Sequence, residues 1–163
     1  MSNESFRLIE KFKNEEMKVD NAIEIKMEAK QENEKLARNL IASFLLELNP
    51  SIEEISDVKT VISEAVTNCI VHGYNKGEGI ITIQAKLAGS VLFLKISDNG
   101  VGIQDIKKAM QPFFTTKPDE ERSGMGFTVM ETFMDELEVC ENVGGGVVVC
   151  MAKEIISAEN VAV

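Results

Sequence analysis

Between residues 22 and 27 the run Ala-Ile-Glu-Ile-Lys-Met alternates apolar and polar positions with a period near two, which predicts a strand. From Glu32 to Leu48 the period lengthens. Leu36, Leu40, Ala42, Phe44 and Leu45 recur at helical spacing, and Asn49-Pro50 ends the helix because the residue ahead of a proline is pushed out of helical geometry. Ser51 followed by Glu54 is a capping-box signature. It opens a second helix with Ile55, Val58, Ile62, Ala65 and Cys69 as its core stripe and Gly73 as its stop. Beyond the turn chemistry of Tyr74-Asn75-Lys76-Gly77-Glu78-Gly79, the segments Ile80 to Leu87 and Val91 to Ile96 flank Ala88-Gly89-Ser90 and predict an antiparallel hairpin. Residues 103 to 123 show no clean period and form a long connection, of the kind that is functional or disordered in compact domains. A helix opens at Gly124-Met125-Gly126, with Phe127, Val129, Met130 and Phe133 on its apolar side. Strands around Leu137 to Cys140 and Val147 to Met151, joined through Gly144-Gly145-Gly146, close the pattern.

The order is β-α-α-β-β-loop-α-β-β, with strands in hairpins and no β-α-β crossover. That arrangement predicts an α/β (α+β) two-layer sandwich: a mixed, mainly antiparallel sheet with helices on one face. A length of 163 residues suits one domain with a core of its own. Residues 1–20 are charged and only weakly periodic, which suits a flexible or partner-dependent extension. The domain is expected over residues 21–153, with a loose tail over residues 154–163.

Composition narrows the function. Apolar residues at 44% and charged residues at 27% are typical of a globular chain. The formal charge of -10 disfavours a sequence-independent grip on nucleic acid and favours a basic protein partner. No apolar run approaches the roughly 18 residues of a membrane span, and no secretion signal opens the chain, so a cytoplasmic protein is expected. The three cysteines, Cys69, Cys140 and Cys150, lack metal-type spacing, sit among apolar neighbours and are expected as buried thiols. His72 is the single histidine, which excludes a multi-histidine metal site, and no G-x-S-x-G elbow accompanies it. It either touches the ligand region or caps its helix, and the cap is the preferred reading.

Three short stretches carry candidate chemistry. Glu64 and Asn68, four residues apart, share one helical face, so an acid-base group and a neutral ligand for a hard cation stand side by side; the same pair also suits a solvated polar surface. Asp98-Asn99-Gly100-Val101-Gly102 lies where a strand ends. Its carboxylate can accept a hydrogen bond from an exocyclic amine while Gly100 and Gly102 let backbone approach a flat ligand, although Asp-Asn-Gly is equally a favoured turn. Arg122-Ser123-Gly124-Met125-Gly126 combines a guanidinium, a hydroxyl and open backbone at a helix start, which suits phosphate. It is not a G-x-x-x-x-G-K-[ST] phosphate loop.

Taken in order, Glu-x-x-x-Asn on a helix, Asp-x-Gly-x-Gly after a strand, and a long loop leading into Gly-x-Gly at a helix start resemble the Bergerat-fold (GHKL) ATP-binding superfamily of gyrase, Hsp90-type chaperones, histidine kinases and MutL. Ser63-Glu64-Ala65-Val66-Thr67-Asn68, Phe114-Thr115-Thr116-Lys117-Pro118 and Arg122-Ser123-Gly124-Met125-Gly126-Phe127 are more closely similar to the anti-sigma kinases of spore-forming Firmicutes. The resemblance covers roughly residues 21 to 153. It implies ATP and Mg²⁺ as cofactors, with Asn68 as the metal ligand, Asp98 on the adenine amino group and Gly100 and Gly102 shaping the base pocket. By the same resemblance Thr115, Thr116 and Lys117 belong to an ATP lid, and Arg122 with the backbone of Ser123, Gly124, Met125 and Gly126 holds the terminal phosphates. Glu64 is then the general base, and positioning with metal electrostatics supplies most of the rate.

The implied partners are a sigma factor of the sigma F type, kept from RNA polymerase by an ATP-bound homodimer, and an anti-anti-sigma protein of the stage II sporulation AA type, phosphorylated on serine. Arg38 matches a position that this family uses to contact partners. Alternatives are an anti-sigma kinase of the general stress (sigma B) type and a non-catalytic module gated by ATP. A detached sensor histidine kinase domain would need a phosphoacceptor histidine in a preceding helical hairpin, and gyrase- or chaperone-type ATPases a further domain. One departure from the family pattern is Gly145-Gly146-Val147, which lacks a threonine and puts an auxiliary adenine contact in doubt.

Overall fold

The computed structural model describes residues 7–111 and 126–156. A short helix α1 (Leu8–Lys13) comes first, then strand β1 (Asn21–Glu28) and helix α2 (Gln31–Leu45), which tightens into a 3₁₀ turn over Leu46–Leu48. Asn49 then adopts a left-handed φ of 51° and ends the run. Helix α3 (Ile52–Asn68) starts at the expected capping box: Ser51 Oγ accepts from the Glu54 amide at 3.1 Å and the Glu54 carboxylate accepts from the Ser51 amide at 2.9 Å. The hairpin β2 (Ile80–Ala88) and β3 (Val91–Ser97), helices α4 (Ile106–Ala109) and α5 (Gly126–Phe133), and the hairpin β4 (Glu136–Glu141) and β5 (Val147–Glu154) complete the order.

The five strands run β1-β2-β3-β5-β4 and every pairing among them is antiparallel, so the two-layer α+β reading holds with no parallel pair in the sheet. The period-two alternation splits the strands between two cores. Ile81, Ile83, Ala85 and Leu87 of β2, Leu92, Leu94 and Ile96 of β3, and Val147, Val149 and Met151 of β5 face the layer of α2, α3 and α5. On α2 the buried stripe is Ala37, Ile41 and Leu45, whereas Leu36 and Leu40 turn outward. Of the stripe expected on α3 and the turn after it, Val58, Ile62, Ala65 and Cys69 are buried, joined by Val61 and Val66, whereas Ile55 is half-buried.

Val91 and Phe93 of β3 with Val148, Cys150 and Ala152 of β5 face the other way, and α1 covers them. The sequence reading of residues 1–20 as a flexible extension is thus modified for residues 8–13, which form a docked helix. Ile9 is 1% exposed, the Phe12 ring stacks on Phe93 at 4.6 Å, and Lys86 Nζ lies 4.5 Å from the Phe12 ring centre. The Glu136 carboxylate accepts from the amides of Leu8 and Ile9 at 2.7 and 3.3 Å, satisfying open donors of the first turn from a distant strand. The weak periodicity hid this because six residues offer too few turns for a stripe to register. Short α4 went undetected inside the long connection for the same reason. Among the described residues no helix is long and apolar enough to cross a membrane.

Candidate functional site

The helical run of α3 ends at Gly73, as expected, after a change of winding. It widens into a π-helical turn over Cys69–Gly73, closed by the Tyr74 amide donating to the Cys69 carbonyl at 2.9 Å, and Gly73 keeps a φ outside the left-handed region. Single-turn π segments mark places where a helix is re-aimed for function. Here the turn brings Gly73 against the end of β3. A Cβ on Gly100 would fall 2.0 Å from the Gly73 carbonyl oxygen, so only a glycine allows the two backbones this close, and the Val101 amide donates to that same oxygen at 2.9 Å.

Asp98 sits in the crease so formed and is 4% exposed. Its Oδ1 accepts from the Gly100 amide at 2.9 Å. Burial pushes its carboxyl group above the ordinary carboxylate range; the Gly100 amide, the Cys69 thiol and the Val147 backbone pull the other way. The Cys69 thiol is in turn pushed well up, by burial first and then by the Asp98 charge. Asp98 therefore keeps an acceptor edge in an apolar recess, which suits a neutral N–H donor on a flat ring.

The cleft around it is lined by Ala65, Asn68, Cys69, His72, Gly73 and Asp98 on one side, with Gly102, Ile103, Phe127, Val147 and Val149 completing it. His72, read from the sequence as a cap, thus lies on the cleft wall. Gly102 has a φ of +76°, which favours the glycine expected there. Val147 lines the cleft from the last hairpin with an apolar side chain.

At the other end, α3 presents Glu64 and Asn68 to the start of α5. A Cβ on Gly126 would lie 3.1 Å from Asn68 Nδ2, 3.3 Å from Asn68 Oδ1 and 3.3 Å from Glu64 Oε2. Three residues that the sequence separates by some 60 positions therefore meet at one helix N-terminus, where backbone amides and the helix dipole favour an anion. Thr115, Thr116, Lys117, Arg122, Ser123, Gly124 and Met125 lie outside the described residues. Arg38 is apart from the cleft, on α2, 3.6 Å from Glu34 in an i,i+4 pair.

The donor set can be tested against Mg²⁺. Among the described residues no three His, Cys, Asp or Glu side chains gather to hold a metal. A hard oxygen donor from Asn68 beside an anion site fits an ion that takes its other ligands from phosphate and water, which is how Mg²⁺ is bound with nucleotides.

Sequence reasoning did not single out three further residues that build the surroundings of Asp98. They are Tyr74, whose hydroxyl meets the Asn99 amide, Asn142, which reaches the Asp98 carbonyl, and Cys69, which bonds the Asp98 carboxylate. Tyr74 and Asn142 sit inside turn-type runs whose composition explains them without any partner, so no local signal marks them. Cys69 was legible only as a core position.

An antiparallel sheet under three helices, with an acid and an amide on one helix facing the start of another and a buried aspartate in the cleft that the amide also lines, fits the class of histidine-kinase-like ATPases. The sequence profile of the histidine kinase-like ATPase domain matches residues 27–153. The anti-sigma F factor of Thermoanaerobacter sp. (strain X514) is 54% identical over 139 residues, covering 85% of this chain and 97% of the relative. That of Clostridium acetobutylicum is 49% identical over 142 residues, covering 87% and 99%. The chain belongs to this family of anti-sigma F factors, within the histidine-kinase-like ATPases. The crystal structure of the RsbU and RsbW domains of Rv1364c from Mycobacterium tuberculosis shares the fold, with a TM-score of 0.60 at 20% identity over 83% of this chain and 32% of that one.

Proposed function

We propose that the chain is an anti-sigma factor of the sigma F type that is also an ATP-dependent protein kinase, transferring the γ-phosphoryl group of ATP to a serine of an anti-anti-sigma protein. The observation that carries this reading is the meeting of Glu64, Asn68 and Gly126 at the N-terminus of α5, with buried Asp98 at the far end of the same cleft. Adenine enters the crease, its exocyclic amine donating to Asp98, between the apolar walls of Ile103, Val147 and Val149. The phosphates then run toward Gly126, where amide groups stabilise their charge. By the family resemblance, Thr115, Thr116 and Lys117 would cover the nucleotide, and Arg122 with Ser123, Gly124 and Met125 would serve as further phosphate donors.

Asn68 supplies an oxygen ligand to Mg²⁺, which when bound neutralises charge on the β- and γ-phosphates. Glu64 accepts the proton of the serine hydroxyl as that oxygen bonds to the γ-phosphorus and the bond to the bridging β,γ-oxygen breaks, releasing ADP. Sequestration of a sigma factor uses a different surface, reached through Arg38 on α2, by an ATP-bound homodimer. A basic partner segment is favoured by the chain's charge of -10.

The test mixes the purified chain with ATP and magnesium, a sigma F-type factor and an anti-anti-sigma protein, and follows phosphate transfer and complex mass together. Transfer to serine by the parent, lost in Glu64→Gln while sigma binding persists, is the expected result. A parent chain that holds the sigma factor in an ATP-dependent way yet transfers no phosphate would leave it a non-catalytic module and overturn the kinase assignment.

A further inference from the structure

The peptide unit between Asp98 and Asn99 is gripped at both of its polar ends by side chains from two separate parts of the fold. Its N–H, belonging to Asn99, donates to the Tyr74 hydroxyl at 2.8 Å. Its carbonyl, belonging to Asp98, accepts from Asn142 Nδ2 at 2.8 Å. Tyr74 follows the π turn that ends α3, and Asn142 opens the β4–β5 turn, so one flat six-atom unit is held between them. We infer that Tyr74 and Asn142 are positioning residues which fix the 98–99 peptide plane and so aim the Asp98 carboxylate at the amine of the base, setting the preference for adenine.

The grip is rigid on the Tyr74 side. The hydroxyl also donates to the Ile80 carbonyl, using its one proton, so its lone pair is left for Asn99. The ring itself lies against Gly79, where a Cβ would fall 2.3 Å from a ring carbon. On the other side the Asn142 amide nitrogen donates to the Gly146 carbonyl and the Asn142 carbonyl accepts from the Gly145 amide, so its backbone is held within its own turn. Rotation about the Asp98 backbone is thereby limited to what both partners tolerate. With the peptide fixed and the Gly100 amide on Oδ1, the remaining acceptor edge of the carboxylate has one direction to face. An amine that must meet it within hydrogen-bond reach is sensitive to small changes of that direction.

The inference rests on the reading of Asp98 as the base receptor, and the experiment separates the two. Calorimetry with magnesium compares ADP with purine riboside diphosphate, which lacks the 6-amino group, on the parent, Tyr74→Phe, Asn142→Ala and the double variant. Tyr74→Phe keeps the ring against Gly79 and removes only the hydroxyl. Each single variant is expected to bind ADP roughly 5- to 10-fold more weakly while affinity for the purine nucleotide changes less than about twofold. The double variant should lose less than the product of the two, because either change frees the same plane. Undiminished binding of the purine nucleotide also shows that each variant is folded. A parent that binds both nucleotides equally would remove the Asp98 reading and the inference with it. A parent that discriminates, with variants that keep its ratio or lose both nucleotides in equal measure, would overturn the inference alone.

Discussion

The two ends of the cleft are built in opposite ways. The end proposed for the base is made largely of backbone: Gly73 against Gly100, the Val101 amide on the Gly73 carbonyl, and the 98–99 peptide held between Tyr74 and Asn142. The end proposed for the phosphates is made of side chains, with Glu64 and Asn68 projecting from α3 to the start of α5. Backbone contacts of this kind fail abruptly when a single atom is added, because neither partner can rotate away. Side-chain contacts yield more gradually, and the proposed proton transfer rests on them. Adding an atom between Gly73 and Gly100 should therefore cost folding and binding together, and neutralising the Glu64 carboxylate should cost rate alone.

The sharpest separation comes from Glu64→Gln. The amide keeps the size of the carboxylate and removes its basicity, so phosphate transfer should fall by about 10²–10⁴ while ADP affinity and melting temperature stay near those of the parent. Single-turnover transfer to the anti-anti-sigma protein measures the first and calorimetry the second. A comparable loss of nucleotide affinity would put Glu64 in binding and collapse the distinction between the ends. Gly100→Ala attacks the other end. Its methyl group would sit 2.0 Å from the Gly73 carbonyl oxygen, and the two segments must part to admit it. A loss on the order of 2–4 kcal/mol in denaturant unfolding, with ADP binding reduced alongside, is expected. A variant of parental stability would show that the crease is not closed by that contact.

How much of this was legible in the sequence follows the same division. Glu64 and Asn68 could be read because i,i+4 spacing on a long amphipathic helix fixes a shared face without knowledge of anything else. The capping box at Ser51 and Glu54 and the strands and turns of both hairpins were equally local and were found where expected. The base end was only half visible: Asp98, Gly100 and Gly102 stood out as a motif, but what holds them is spread over Gly73, Tyr74 and Asn142, joined only by tertiary contact. The outward turn of Leu36 and Leu40 on α2 shows the limit of periodicity. Two overlapping apolar stripes were available, and the sheet selected Ala37, Ile41 and Leu45. The docking of α1 was missed for a related reason, since its partners Phe93 and Glu136 are far along the chain.

That helix provides a control remote from both ends. Phe12→Ala removes the stack on Phe93 and the ring beneath Lys86, and should lower unfolding stability by about 1–3 kcal/mol. Because α1 covers the sheet face turned away from the cleft, nucleotide affinity and transfer rate should be unchanged at temperatures well below the melt. A change in transfer rate at constant stability would mean that the far face communicates with the site and that the two ends are not the only divisions that matter.

The smallest effect is the most specific to the base end. Burial raises the Asp98 carboxyl group above its ordinary value, so the folded chain holds that proton more tightly than the unfolded chain does. By linkage, the stability this group contributes is complete below the unfolded pKa of about 3.9 and is lost as pH rises through the folded value. At neutral pH the ligand-free protein therefore bears the cost of a buried carboxylate. Asp98→Asn keeps the shape and the acceptor for the Gly100 amide without the charge. It should melt slightly higher than the parent at pH 7, and the gap should close as pH falls toward the ordinary carboxylate range. The same variant should bind ADP about 10-fold or more weakly, because a neutral amide is a poorer acceptor than a carboxylate for the amine of the base. Stability gained where affinity is lost is the signature of a group kept charged for a ligand. A variant that lost both would make Asp98 a structural member of the crease and leave base recognition to the apolar walls alone.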